Sequence, residues 1–183
     1  YPRAVTAQMV LNFLRGGAAA NVLSAQTGCT LRIVDVGVDA DFTPHPQLTQ
    51  AKVARGTASI LHADAMSAED LERALTAGRE AAQEALRAGH RVMLFGEMGI
   101  GNTAISSLLL SELTGLPLAD CVGPGTGLDS AGVARKLALL ERVRQRPTEP
   151  FPKGDAAAEA ITLLRRYGGF EIAALAAAIS AVA

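Results

Sequence analysis

Residues 91–103 read RVMLFGEMGIGNT, and no other stretch limits the fold so strongly. Four apolar residues, Val92, Met93, Leu94 and Phe95, run straight into Gly96. A short apolar run ended by glycine predicts a strand buried on both faces. The turn Gly96-Glu97-Met98-Gly99-Ile100-Gly101-Asn102-Thr103 then enters a mostly apolar segment, 105–113. That segment is long enough for a helix, and Gly115 and Pro117 close it. The expected order is strand, glycine-rich turn, helix. Glycines let the backbone approach a ligand without Cβ clashes. The first amides of the helix, together with its dipole, favour an anion there. A phosphate is the expected guest.

Two general motifs come close. Gly96-x-x-x-x-Gly101 followed by Asn102-Thr103 has P-loop spacing, but Asn102 stands where the phosphate-gripping lysine belongs. Gly99-x-Gly101-x-x-Ala104 matches the letters of the dinucleotide fingerprint. Its context is poor, because Gly96-Glu97-Met98 separates it from the strand. Asp120 has the right distance for a ribose contact, but Leu118-Ala119 is too short for the strand that should precede it. Glu97 is unusual in a phosphate loop, since a carboxylate repels phosphate. It either has a second task, facing a cation or accepting a proton, or is a surface residue of an ordinary turn.

The 183 residues amount to about one domain, enough to bury a core. A net charge of −1 provides no field to attract nucleic acid or anionic lipid. No apolar stretch spans a bilayer and no secretion signal opens the chain, so a cytoplasmic protein without membrane or nucleic-acid partners is expected. Cys29 and Cys121 are far apart and lack metal-ligand spacing. His45, His62 and His90 are isolated, which fits solvated or hydrogen-bonded side chains. Asp35, Asp39 and Asp41 cluster, but match no calcium loop and read as turn-formers. No metal and no cofactor is expected. The start at Tyr1 without methionine gives the look of an excerpt from a longer chain.

Helices are expected over 4–14, 18–26, 67–88, 130 onward, 155–167 and 170–183, with a strand over 31–36. Ser67, Asp129 and Asp155 are the expected caps. Between 39 and 64 a long irregular loop carries Lys52 and Arg55, and 147–154 reads as a proline-rich linker. Gly78 falls on the apolar face of its helix, which predicts close packing against the sheet. Strand, helix, strand predicts a right-handed parallel crossover, with a ligand at the carboxyl end of the second strand. A second cradle is expected in Cys121-Val122-Gly123-Pro124-Gly125-Thr126-Gly127-Leu128-Asp129. Arg135, Lys136, Arg142, Arg144 and Arg146 follow, and basic helices of this kind usually show a solvated face. Glu171 opens the last helix, where a carboxylate complements the dipole and needs no catalytic role.

GEMGIGNT resembles the signature of the nicotinate-nucleotide:dimethylbenzimidazole phosphoribosyltransferase family, which makes the lower-ligand nucleotide of cobalamin. YPRAVTAQMVLNFLRGGAAANVL, GTGLDSAGVARK and GGFEIAAL are similar to further blocks of that family, in the same order. The resemblance covers nearly the whole chain. It implies phosphoribose transfer from nicotinate mononucleotide to 5,6-dimethylbenzimidazole, giving α-ribazole 5′-phosphate and nicotinate. It implies a homodimer, and it places Gln8 at the aromatic-base pocket and Lys136 near the nucleotide phosphate. Met98, Gly99, Ile100, Gly101, Asn102 and Thr103 of the first turn, with Gly125, Thr126 and Gly127 of the second, would complete the substrate site. Nicotinate bonded through its ring nitrogen is a cationic leaving group, so no acid is needed to expel it. Glu97 would support an oxocarbenium-like ribosyl centre or hold the sugar hydroxyls.

One departure counts. The family's general-base glutamate lies in a later glycine- and serine-containing block with no counterpart in these 183 residues. Ala104 also replaces a residue that is commonly threonine in the family's turn. These residues alone are therefore expected to bind nicotinate mononucleotide but turn it over slowly. Two other readings stay open: a non-catalytic nucleotide-binding module, and a degenerate P-loop NTPase that the absent lysine argues against. The expected fold is α/β, one domain over 1–183, with a Rossmann-like three-layer arrangement, a mostly parallel sheet and helices on both faces.

Overall fold

The computed structural model describes residues 1–150, 152 and 154–183. Eight helices and two short strands are found among them: α1 Ala4–Leu14, α2 Ala19–Thr27, β1 Ile33–Asp35, β2 Leu48–Gln50, α3 Ala68–Arg87, α4 Asn102–Thr114, α5 Leu118–Cys121, α6 Ser130–Arg144, α7 Ala156–Tyr167 and α8 Phe170–Ser180. The architecture is α/β, with a small parallel sheet among helices. β1 and β2 pair in parallel, Ile33 against Leu48 and Asp35 against Gln50. β2 falls in what the sequence presents as loop. The expected linker over 147–154 includes Phe151 and Lys153, which lie outside the described residues.

Local chemistry starts the helices where the sequence puts them. Ser67 Oγ accepts from the Asp70 amide, and Asp70 Oδ2 lies near the Ser67 amide, a reciprocal cap. Asp129 accepts from the Gly132 amide at 2.7 Å and starts α6. Asp155 accepts from the Ala157 and Ala158 amides and starts α7.

The strand expected over 92–95 does not form. Residues 90–99 carry no regular secondary structure, and Val92 and Leu94 are 81% and 84% exposed. A strand exists only by exchanging backbone hydrogen bonds with a neighbour. The two strands described here pair with each other instead, so the expected crossover through α3 is replaced by the connection between β1 and β2.

The core is made mainly by helix on helix. α3 packs along α8, and Leu71, Ala74 and Ala77 meet Phe170, Ala173 and Ala174, joined by Val36, Val53 and Met66. A second cluster joins α4, α5, α6 and α7 through Leu108, Leu118, Leu140, Val143, Leu163 and Tyr167. Ile60 and Leu164 touch both clusters. Gly78 therefore packs against α8, not against a sheet: a Cβ there would lie 1.9 Å from the Ala174 carbonyl oxygen. Among the described residues no helix is long and apolar enough to cross a membrane.

The loop after β1 is held by charge. Asp35 is buried, accepts from the Gly37 and Val38 amides, and lies 3.0 Å from Lys52 Nζ. Lys52 also donates to the Val38 and Ala40 carbonyls. Arg55 pairs with Asp39 and Asp41. The acidic cluster thus fixes a turn, and the two cations of the loop are spent on it.

Candidate functional site

α4 starts at Gly101, whose φ of +95° is a backbone conformation that other residues rarely adopt. No side chain caps this helix. Its N-terminal end is therefore left with the positive end of the dipole facing the turn. Asn102 and Thr103 are its first two residues. Asn102 is buried and Thr103 is exposed.

The second glycine-rich turn lies against the first. A Cβ on Gly125 would come 2.8 Å from Thr103 Oγ1, so only glycine permits this approach. Lys136, reaching back from α6, ties the two together. Its Nζ donates to Thr103 Oγ1 at 3.0 Å and to the Gly123 carbonyl at 3.2 Å. Burial holds the Lys136 ammonium below the usual lysine range. Two cradles, read separately in the sequence, converge on one cation.

The start of α1 closes over both turns. Thr6 Oγ1 accepts from the Ile100 amide at 3.4 Å, and the Tyr1 hydroxyl donates to the Thr126 carbonyl at 3.3 Å. Gln8 is exposed on α1, and Thr6 rather than Gln8 makes the contact with the turn. Met98 and Gly99 are half-buried, while Ile100 and Gly101 face solvent. Gly125, Thr126 and Gly127 are exposed. Arg135 is exposed, whereas Arg144 at the end of α6 and Arg146 just beyond it pair with Glu112 and Asp64, so these basic residues are not one solvated face.

Glu171 is the residue that local sequence undervalues. It occupies the first turn of α8 as expected, and its Oε1 also accepts from Asn102 Nδ2 at 2.9 Å. Ser106 Oγ donates to Asn102 Oδ1 at 3.1 Å, so both ends of the Asn102 amide are engaged. Glu97 borders the same place. Its carboxyl is pushed above the usual glutamate range, first by desolvation and then by the charge of Glu171, with the Gly99 amide opposing. Gly168-Gly169 ahead of Glu171 was the available signal: a Cβ on Gly169 would lie 2.3 Å from Glu171 Oε1.

A separate cleft of about 460 Å³ is lined by Gly56, Thr57, Met66, Asp70, Arg165 and Phe170, among others. It includes none of the residues of the two turns, and the uncapped end of α4 lies at the turns. Among the described residues no group of three His, Cys, Asp or Glu is placed to hold a metal ion.

Two glycine turns thus meet at an uncapped helix and are bridged by a lysine. A phosphoribosyltransferase family model matches residues 1–183, and the chain belongs to this family. It is 49% identical over 183 residues to the nicotinate-nucleotide–dimethylbenzimidazole phosphoribosyltransferase of Dechloromonas aromatica (strain RCB). That match covers all of this chain and 51% of the relative. The enzyme of the same name from Cupriavidus necator is 48% identical over the same 183 residues, again with 51% of its length covered. The crystal structure of CobT from Thermus thermophilus superposes with a TM-score of 0.88 at 40% identity, over 99% of this chain and 52% of that one. The chain thus spans about half the length of the relatives it matches.

Proposed function

We propose that the protein transfers phosphoribose from nicotinate mononucleotide to 5,6-dimethylbenzimidazole, releasing nicotinate and forming α-ribazole 5′-phosphate. The observation that carries this reading is the junction of Lys136, Thr103 and Gly123 at the N-terminus of α4. The names of the similar proteins support the substrate pair. The phosphate sits at the junction, where Gly99, Gly101 and Asn102 position the ribose. The anomeric carbon becomes oxocarbenium-like as nicotinate departs with the bonding electron pair on its ring nitrogen. The benzimidazole attacks the opposite face through one ring nitrogen, which inverts β to α, and its other ring nitrogen gives up its proton to a general base. Glu97 faces that centre from the first turn. Gln8 offers an amide that satisfies a ring nitrogen in either protonation state.

The test is to incubate the protein with both substrates and follow nicotinate and α-ribazole phosphate by chromatography. The expected result is matched release of the two. Nicotinate mononucleotide bound without product would favour the non-catalytic module instead.

Further parts of this reading concern the whole protein. The parallel β1–β2 pair and the exposed apolar run 92–95 support a Rossmann-like three-layer arrangement in which 92–95 becomes a paired strand and 1–183 serves as one domain. We also propose a cytoplasmic homodimer. The apolar residues that support association are Leu11, Val22 and Leu23 of α1 and α2, the last two 60% exposed. α8 is largely covered by α3. Sedimentation should show a dimer at micromolar concentration, and a clean monomer would count against it.

A further inference from the structure

We propose that Glu171 is a positioning residue of the nucleotide site: it locks the Asn102 amide at the head of α4 and is coupled to the Glu97 carboxyl across Gly99. This rests on the nucleotide reading above. The geometry comes first. Asn102 lies in the first turn of α4, 9% exposed, with Nδ2 on Glu171 Oε1 and Oδ1 on Ser106 Oγ. An amide carries two N–H groups. Fixing one on Glu171 fixes the direction of the other, which stays available to a ligand on the turn.

Glu171 reaches this place because Gly169 has no Cβ. The Glu171 carboxylate oxygens occupy space within 2.4 Å of where that Cβ would be. The same carboxylate also lies near Glu97. The position of a Cβ on Gly99 lies 3.8 Å from Glu171 Oε1 and 3.9 Å from Glu97 Oε2, so both carboxyl groups border one spot.

Two carboxyl groups so placed resist ionising together. Desolvation first, and the charge of Glu171 second, hold the Glu97 carboxyl above the usual glutamate range. When it carries its proton, the Glu97 carboxyl can donate a hydrogen bond to a sugar hydroxyl or phosphate oxygen. The other charged groups nearby have partners of their own. Lys136 of α6 is on Thr103 and Gly123, and Arg3, ahead of α1, pairs with Asp39.

Two measurements on the whole chain test this. The first needs no substrate: a carbon-13 carboxyl titration, with the Glu97 signal assigned through Glu97→Gln. Glu171→Gln should move the Glu97 midpoint to lower pH, and an unmoved midpoint would overturn the coupling. The second is calorimetry with nicotinate mononucleotide. Glu171→Ala and Asn102→Ala should each weaken binding about tenfold, as loss of one hydrogen bond allows. The double variant should lose no more than either single one. Glu171→Gln keeps an acceptor for Asn102 and should stay within about threefold of wild type. Additive losses would overturn the positioning role. Wild-type protein that fails to bind the nucleotide would sink the nucleotide reading, and the titration would still decide the Glu97 coupling.

Discussion

Alanine at Gly78 is expected to lower the unfolding free energy by about 3 kcal/mol, the upper part of the usual range for overpacking a core. In an exposed helix the same change would stabilise by about 1 kcal/mol, because glycine is the poorer helix former. Here the added methyl would lie 1.9 Å from the Ala174 carbonyl oxygen, 2.6 Å from its carbon and 2.9 Å from its Cα. All three atoms are backbone, so no side-chain rotation relieves the clash. α3 and α8 would have to separate by more than an ångström. Their interface is built from small residues, Ala74 and Ala77 facing Ala173, Ala174 and Ala177, and close approach of the helices follows from that choice. Separation would open the cluster around Leu71 and Phe170. It would also carry Glu171 away from Asn102, since Glu171 rides on α8. Urea unfolding measures the loss. A Gly78→Ala variant as stable as wild type would mean that the two helices do not pack this closely.

The helices were legible because their signals are local. Ser67, Asp129 and Asp155 satisfy amides two or three residues away, and the caps sit where the sequence puts them. Gly28 and Gly115 end α2 and α4 with left-handed backbones, again a local effect. The two glycine turns were legible for the same reason. Their convergence was not, since Lys136 lies 33 positions from the Thr103 it bridges to. Asn102 and Glu171 are 69 positions apart, and nothing in the pattern around either one announces the other. The apolar run 92–95 misled in the opposite way. Its composition predicts burial, but burial of a strand depends on neighbours that composition does not specify. β2 escaped notice because three residues, Leu48, Thr49 and Gln50, are too few to show alternation.

Lys136→Ala should weaken nicotinate mononucleotide binding by about 1.5–3 kcal/mol, the worth of a hydrogen bond to a charged group, and leave nicotinate binding unchanged. The lysine is poised for an anion because its present partners are neutral. Thr103 Oγ1 and the Gly123 carbonyl hold the ammonium in place without cancelling its charge. Asp129, which precedes Lys136 as the cap of α6, is occupied with the Gly132 amide at the start of that helix. A compact ammonium at the meeting of two glycine turns acts as a point charge on a phosphate. Its titration gives the expected pH dependence. Burial disfavours the charged form and lowers the lysine from its ordinary range. The positive charge in the free protein is therefore lost at lower pH than for a solvated lysine. Phosphate favours the charged form, so binding at alkaline pH takes up a proton and affinity falls as pH rises through this range. In Lys136→Ala that alkaline fall should vanish along with the proton uptake. Calorimetry in two buffers of different ionisation enthalpy reads affinity and proton uptake together. Equal nucleotide affinity in wild type and variant would remove Lys136 from the site, whatever the pH.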